Sequence, residues 1–417
     1  MASVSMELPW MEMAGELPSF EMEEDEEDQA RRSRRRERTT SWWTRREDEM
    51  KTLLEEELRN PPIGGEEEEE EEEEEDIVDE EEADLDTMRM YRRGWEQSFG
   101  GSYGSFQDKS TLICSLSLSS LLASFGPMRY TEGAIPEDAS CESAVQIFSV
   151  QVTNLKDGLK WPLHVYGHVA IRDLLDHNRN LLFERKRDNC QILTRQDSYL
   201  LLTGPSRAAV IVDPVAFEVD LKVKGKRESE DKVLSLKYFQ HSSVTSYERH
   251  VPMIRRCCPS KRSMLEVKFA VLYQAVEATV VSTKVVRGSW MDHYRGRVVC
   301  RTASASKEDI VLLDSRDGSM PVNSDGAIEL SRRVVSVEIS GRLIFRVVAL
   351  RVNDKMGGAA SRVNDKMGVI AEDSAIFTPM VGGKSKRTCD LGFCEVEITV
   401  AWSLFSTLQD LRLHNIL

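Results

Sequence analysis

From Ala144 onward the apolar residues of the chain recur at every second position, the period of a strand with one buried and one wet face. Phe148, Val150 and Val152 alternate with polar neighbours, and Phe217, Val219, Leu221 and Val223 alternate with Glu218, Asp220, Lys222 and Lys224. Leu265, Val267, Phe269, Val271 and Tyr273 repeat the spacing less cleanly; the phase slips after Tyr273 and resumes at Val276, Ala278 and Val280, as a β-bulge or sheet corner requires. The last strand is the clearest: Cys394, Val396, Ile398, Val400, Trp402 and Leu404 point one way, Glu395, Glu397, Thr399 and Ser403 the other. Turn-forming stretches at Asp176 to Asn180, Thr203 to Pro205, Arg316 to Gly318 and Ser324 to Gly326 punctuate the strands. The pattern predicts an all-β domain over residues 144–417, an antiparallel β-sandwich or open barrel.

Two halves of that domain are alike. Tyr166-Gly167-His168-Val169-Ala170-Ile171-Arg172, then Leu182 and Phe183, then Arg187-Asp188-Asn189, parallel Tyr294-Arg295-Gly296-Arg297-Val298-Val299-Cys300-Arg301, then Leu312 and Leu313, then Arg316-Asp317-Gly318. The glycines and the Arg-Asp pairs share one offset of 129 residues, which reads as a duplicated fold unit, forming one sandwich or two stacked sheets. A different repeat, RVNDKMG at Arg351 to Gly357 and again at Arg362 to Gly368, reads as a recent local duplication, or a mis-joined gene model, lengthening one surface loop.

Charge separates the rest of the chain from this domain. The first hundred residues carry 35 acidic and 13 basic side chains, a net of −22, leaving 36 acids and 42 bases, a net of +6, for the remainder. Blocks such as Glu21 to Asp28, Arg31 to Arg38 and the unbroken Glu66 to Glu75 repel themselves and bury too little apolar surface to offset chain entropy. Residues 1–143 are therefore expected to be disordered, with helical segments near 44–58, where Met50, Leu53, Leu54 and Leu58 precede Pro61, and near 77–95, where acids give way to Arg89, Arg92 and Arg93. The stretch Phe99 to Ser105 reads as a flexible turn.

The longest apolar run, Leu112 to Phe125, is short for a bilayer span and interrupted by serines, so no membrane association is expected. Eight cysteines without a secretory leader read as reduced thiols, which places the chain in cytoplasm or nucleus.

Several stretches carry a resemblance: Trp161-Pro162-Leu163-His164-Val165-Tyr166-Gly167, Asp176-His177-Asn178-Arg179-Asn180, Arg187-Asp188-Asn189-Cys190, Leu202-Thr203-Gly204-Pro205 and Cys389-Asp390-Leu391-Gly392-Phe393-Cys394. They resemble a family of grasses known as domain of unknown function 6598 over about residues 145–404, and Met90-Tyr91-Arg92-Arg93-Gly94-Trp95 resembles its leader. The resemblance implies no set activity. Some relatives carry the domain behind a ribosome-inactivating N-glycosidase module of jasmonate-induced type, which implies stress or defence by association. The Glu-Ala-x-x-Arg signature of that module is absent here.

Chemistry adds little. His164 and His168 share a strand face, but a strand histidine is ordinarily a satisfied structural residue. The cysteines form no Cys-x-x-Cys pair. Gly100-Gly101-Ser102-Tyr103-Gly104 has the letters of a nucleophile elbow without the preceding strand. Asp173, Asp176, Asp314, Asp317 and Asp325 lie in turns able to line a calcium site, yet ordinary hairpins use the same residues, so no metal or cofactor is expected. Asp176, His177, Asn178, Arg179 and Asn180 form the polar stretch best suited to a ligand-facing loop. The Arg31 to Arg38 block, with Trp42 and Trp43, suits nucleic acid, but flanking acids compete for its arginines. The expectation is a non-catalytic β-module with a protein partner. Hydrolytic activity by family association and nucleic-acid binding through the basic block are the alternatives.

Overall fold

The computed structural model describes residues 80–110, 127–137, 139–212, 214–242, 251–305, 308–316, 318–351 and 368–406. Among the described residues one α-helix, α1 (Glu80–Tyr103), precedes the strands. The first half holds β1 (Ala139–Ser140), β2 (Glu142–Leu155), β3 (Leu163–Arg172), β4 (Asn180–Arg185), β5 (Gln191–Leu193), β6 (Ala209–Val210), β7 (Val215–Val223), β8 (Lys232–His241) and β9 (Ile254–Pro259). A long strand, β10 (Ser263–Gly288), leads into the second half. There follow β11 (Tyr294–Thr302), β12 (Ile310–Asp314), β13 (Val334–Glu338), β14 (Leu343–Arg351), β15 (Val369–Phe377), β16 (Lys384–Asp390), β17 (Cys394–Ser403) and β18 (Phe405–Ser406).

The strands pair antiparallel throughout, and the duplication is visible in the pairing itself. An outer sheet ordered β4-β3-β7-β8, with β5 added to β3, corresponds to a second ordered β12-β11-β14-β15. In the first, Val169 pairs Phe183 and Ala170 pairs Leu181, one residue being skipped; in the second, Val298 pairs Leu313 and Val299 pairs Val311, with the same skip. Phe217 opposite Ile171 likewise becomes Phe345 opposite Cys300. The halves meet in one seven-stranded sheet, β16-β17-β10-β2-β6, with β9 and β13 also paired to β10.

Each outer sheet packs on its part of this central sheet. Leu265, Val267, Phe269 and Val271 of β10 join Val165, Val169, Phe217 and Val219 in one core; Val276, Ala278 and Val280 join Val298, Phe345, Val347 and Trp402 in the other. The phase slip after Tyr273 is a bulge: Leu272 pairs Ala144 but Ala275 pairs Glu142, and Gln274 between them takes φ 45°. The slip thus marks the join between the duplicated halves, carried by one continuous strand. Ala270 and Leu272 belong to the second core, so β10 is apolar on both faces near the join, which blurs its alternation.

Phe148 does not share a face with Val150 and Val152 as the alternation predicts. A second bulge, between the Ile147 and Ser149 pairings, turns Phe148 into the second core while Ile147, Val150 and Val152 stay in the first. The two repeat glycines are required for different reasons. Gly167 takes φ +115° with its Cα against Asp220 backbone, where a Cβ would meet the carbonyl oxygen at 2.0 Å; at Gly296 a Cβ would meet the Met320 sulfur at 2.1 Å.

The helix expected near 77–95 forms over Glu80–Tyr103 and packs against β8 rather than standing apart from the β-domain. It runs through the glycines expected as a turn and stops at Gly104, which takes φ +85°. The segment near 44–58 and the Arg31 to Arg38 block lie outside the described residues, as do all but Arg351 and Gly368 of the RVNDKMG copies, which connect β14 to β15. Among the described residues no helix is long and apolar enough to cross a membrane.

Candidate functional site

The site grows from α1. Acids Glu80, Glu81 and Glu82 fill its first turn, where they suit the helix dipole. Tyr91, Trp95, Phe99 and Tyr103 follow at four-residue steps along one face, and Trp95 and Phe99 are buried. The acidic end is tied to the β-domain by Asp84 with Lys237 and Glu81 with Arg262, each at 2.5 Å. Further along, Tyr91 stacks on Tyr238 of β8 with ring centroids 3.8 Å apart.

Beneath the helix lies a cluster of buried charge on the outer face of the first sheet. Glu218 of β7, fully buried, accepts from Arg172 of β3 and from Arg179 Nε at 2.7 Å, with His168 Nε2 at 3.9 Å. Arg172 also donates to the carbonyls of His177 and Phe106. Its guanidinium sits 4.9 Å from the Trp95 ring and 4.4 Å from the Phe106 ring, and Arg179 sits 5.0 Å from Phe106. Trp95 Nε1 donates to the His177 carbonyl at 2.9 Å. Burial alone would raise the Glu218 carboxyl; His168, Arg172 and Arg179 outweigh it and hold the group at about 2. The carboxylate stays ionised under a lid of aromatic rings.

The Asp176 to Asn180 stretch is part of this assembly. Asp176, His177 and Asn180 are buried. Asp176 accepts from Ser110 at 2.6 Å, the His177 ring stacks on Phe99 at 3.7 Å, Asn178 N–H donates to Asp176 at 2.9 Å, and Asn180 donates to the Arg207 carbonyl at 2.8 Å. What this loop faces is the chain's own helix and its tail. The same loop leads inward: Asp173 accepts from Arg207 at 2.7 Å and 2.5 Å, the Ala208 N–H donates to Glu277 at 2.8 Å, and Met128 N–H donates to the other oxygen of Glu277 at 2.7 Å. Asp173 holds the Arg207 guanidinium above its ordinary range against the pull of burial, and burial pushes Glu277 up despite its two backbone donors.

Other candidates separate. His164 and His168 share the outer face of β3, but His164 Nδ1 lies 3.7 Å from the Cys190 sulfur whereas His168 neighbours Glu218. Ser102 ends α1 in a helical turn. Asp314 and Asp325 cap their own turns by accepting from Arg316 and Ala327 N–H groups. No cluster of three or more potential metal ligands occurs among the described residues. Burial pushes the thiols of Cys258 and Cys394 to about 11 and Cys389 to about 12.

A family model described as Domain of unknown function (DUF6598) matches residues 144–400, more than half of the chain. The chain belongs to that family. No curated protein matches it. Among solved structures, human GIVD cytosolic phospholipase A2 is similar at 10% identity and TM-score 0.19, covering 65% of this chain and 33% of that one. The same enzyme in complex with methyl gamma-linolenyl fluorophosphonate gives 8% identity and TM-score 0.20, covering 64% and 33%. The chain thus spans about a third of the length of those structures, and a likeness this faint carries no argument.

Within the DUF6598 domain the buried cluster escaped the sequence reading. Glu218 stood among the polar residues expected to face water, because alternation identifies a face without saying what covers it. The available signal lay in the leader: Trp95 lies against Arg172, and Tyr91 stacks on Tyr238 of the neighbouring strand.

Proposed function

We propose that the DUF6598 domain is a non-catalytic protein-interaction module that works through the outer faces of its two duplicated sheets. The observation that carries this reading is the seating of α1 on the first face. Buried Trp95 and Phe99, stacked Tyr91, and arginines laid against aromatic rings are the contacts that anchor protein interfaces. The ionisable groups of the face are engaged in holding the helix: Glu218 is ionised and covered, and Arg172 is committed to Glu218 and two carbonyls. A group so placed supports no proton transfer to a substrate.

The test is affinity capture by the full chain, wild type against Arg301→Glu/Arg346→Glu on the second face, with circular dichroism confirming that both fold. Proteins held by the wild type and lost from the variant support the reading. Identical retention by both, or a hydrolytic activity that travels with the purified chain, overturns it.

A further inference from the structure

Independently of the interaction reading, we propose that the second half binds a small monovalent anion of the halide class between Arg332 and Thr302, where the first half uses a carboxylate of its own. The duplication makes the comparison. In the first half Asp173 follows Arg172 and accepts from both terminal nitrogens of Arg207, at 2.7 Å and 2.5 Å, with both side chains buried. Arg172 pairs Ala216, beside Phe217, as Arg301 pairs Ile344, beside Phe345. Thr302 therefore stands in the place of Asp173, and it is likewise fully buried.

An arginine is nevertheless present. The segment leading to β6 hangs from the Leu182 carbonyl by the Thr203 and Gly204 N–H groups, and the segment leading to β13 hangs from the Leu312 carbonyl by those of Ser331 and Arg332. From there Arg332 turns inward, 1% exposed and close enough to the fully buried Cys300 to feel its charge. Cys300 and Thr302 share a face of β11, two residues apart. Arg332 Nε and Nη1 have no partner, nor have the buried hydroxyls of Thr302 and of Ser304 in the connection that follows. The two acids of that connection are engaged elsewhere: Glu308 lies 3.2 Å from Lys268, and Asp309 is held by Arg301 at 2.5 Å on the outer face.

A guanidinium keeps its proton at neutral pH even where burial pushes it down to about 10. A buried ion without a counter-charge is strongly unfavourable, and an anion that accepts from the orphan nitrogens and the Thr302 hydroxyl offsets that cost. The surroundings are apolar, Cys300 and Leu312 both belonging to the second core. They suit a compact, singly charged ion that dehydrates readily; a phosphate or sulfate dianion carries more charge than one arginine balances.

The full chain is melted in gluconate buffer while chloride replaces gluconate at constant ionic strength. The Tm of the wild type should rise by about 3 °C for each tenfold step in chloride above the dissociation constant, the logarithmic dependence of a ligand held only by the folded state. Bromide should substitute for chloride. Arg332→Met, which removes the buried charge, should melt no lower than the wild type without halide and should show no slope. Thr302→Asp, which gives Arg332 the partner that Arg207 already has, should melt higher than the wild type without halide and lose the slope as well. Equal slopes in the wild type and Arg332→Met, no slope in either, or a steeper response to phosphate than to chloride would overturn the proposal. Should a variant fail to fold by circular dichroism, the chlorine-35 line of wild-type solutions decides. Broadening that bromide reverses supports the site; a line that the protein leaves unchanged, or broadens beyond reversal by bromide, overturns it. These outcomes leave the interaction reading, which rests on the outer faces, untouched.

Discussion

Replacing Glu218 by glutamine separates the electrostatic account of the α1 platform from a purely hydrophobic one. The folded protein holds this carboxyl at about 2, against an ordinary 4.5. Because the folded state binds the proton less readily than the unfolded chain, its contribution is present above the ordinary value and is lost as pH falls toward the folded one. The difference corresponds to about 3 kcal/mol. The substitution Glu218→Gln would also leave the buried Arg172 without its counter-charge, a loss of about 3–5 kcal/mol in comparable buried pairs, and would unpair the partly buried Arg179. Urea unfolding of the full chain, followed by tryptophan fluorescence, should show Glu218→Gln destabilised by roughly 3 kcal/mol or more at about pH 7, with the gap closing as pH approaches about 2. A deficit below about 1 kcal/mol, or one independent of pH, would refute the argument that the ion cluster holds the platform.

Three further outcomes follow from buried groups. Trp95→Ala removes a ring that is 3% exposed together with its hydrogen bond to His177, and should cost about 3–5 kcal/mol in the same unfolding assay. Glu338 works in the opposite sense to Glu218: burial pushes it to about 7 and neither oxygen has a partner, so its contribution turns unfavourable as pH rises from about 4.5 to 7. Glu338→Gln should therefore stabilise the protein by up to about 3 kcal/mol near pH 8 and leave it unchanged near pH 4, as pH-resolved melting would show. Arg332 is 1% exposed, its Nε and Nη1 lack partners, and burial pushes it down to about 10, whereas Arg207, likewise two residues before a strand of the central sheet, is paired to Asp173. Arg332→Met should accordingly be neutral or stabilising by about 1–3 kcal/mol in denaturant titration, while Arg207→Met, which strands Asp173, should destabilise.

The parts of this molecule legible in its sequence are those governed by period and punctuation. Alternation located the long strands, the slip after Tyr273 located a bulge that the structure places at the join between the halves, and the spacing of Gly167 and Gly296 exposed the duplication, because each is a local backbone requirement. Phe148 was misassigned because a bulge moves one residue to the other face without disturbing the count of apolar positions. The platform was illegible for a different reason. Glu218, Arg172 and Arg179 are polar letters on a strand face or turn, and only the docking of a helix more than seventy residues upstream turns them from solvated groups into a buried cluster. The helix covers His177, while Asp176 is held by Ser110 and Asn180 by Ser206 and Arg207, in a stretch whose composition is that of a solvated hairpin.

The most direct test of the platform is hydrogen exchange with mass spectrometry on the full chain, wild type beside Trp95→Ala. The account predicts that peptides across Glu80–Tyr103 are protected in the wild type to an extent comparable with β8, and that Trp95→Ala strips protection from them while β10 and β17 keep theirs. Exchange of the Glu80–Tyr103 amides at the rate of an undocked helix in the wild type would contradict it.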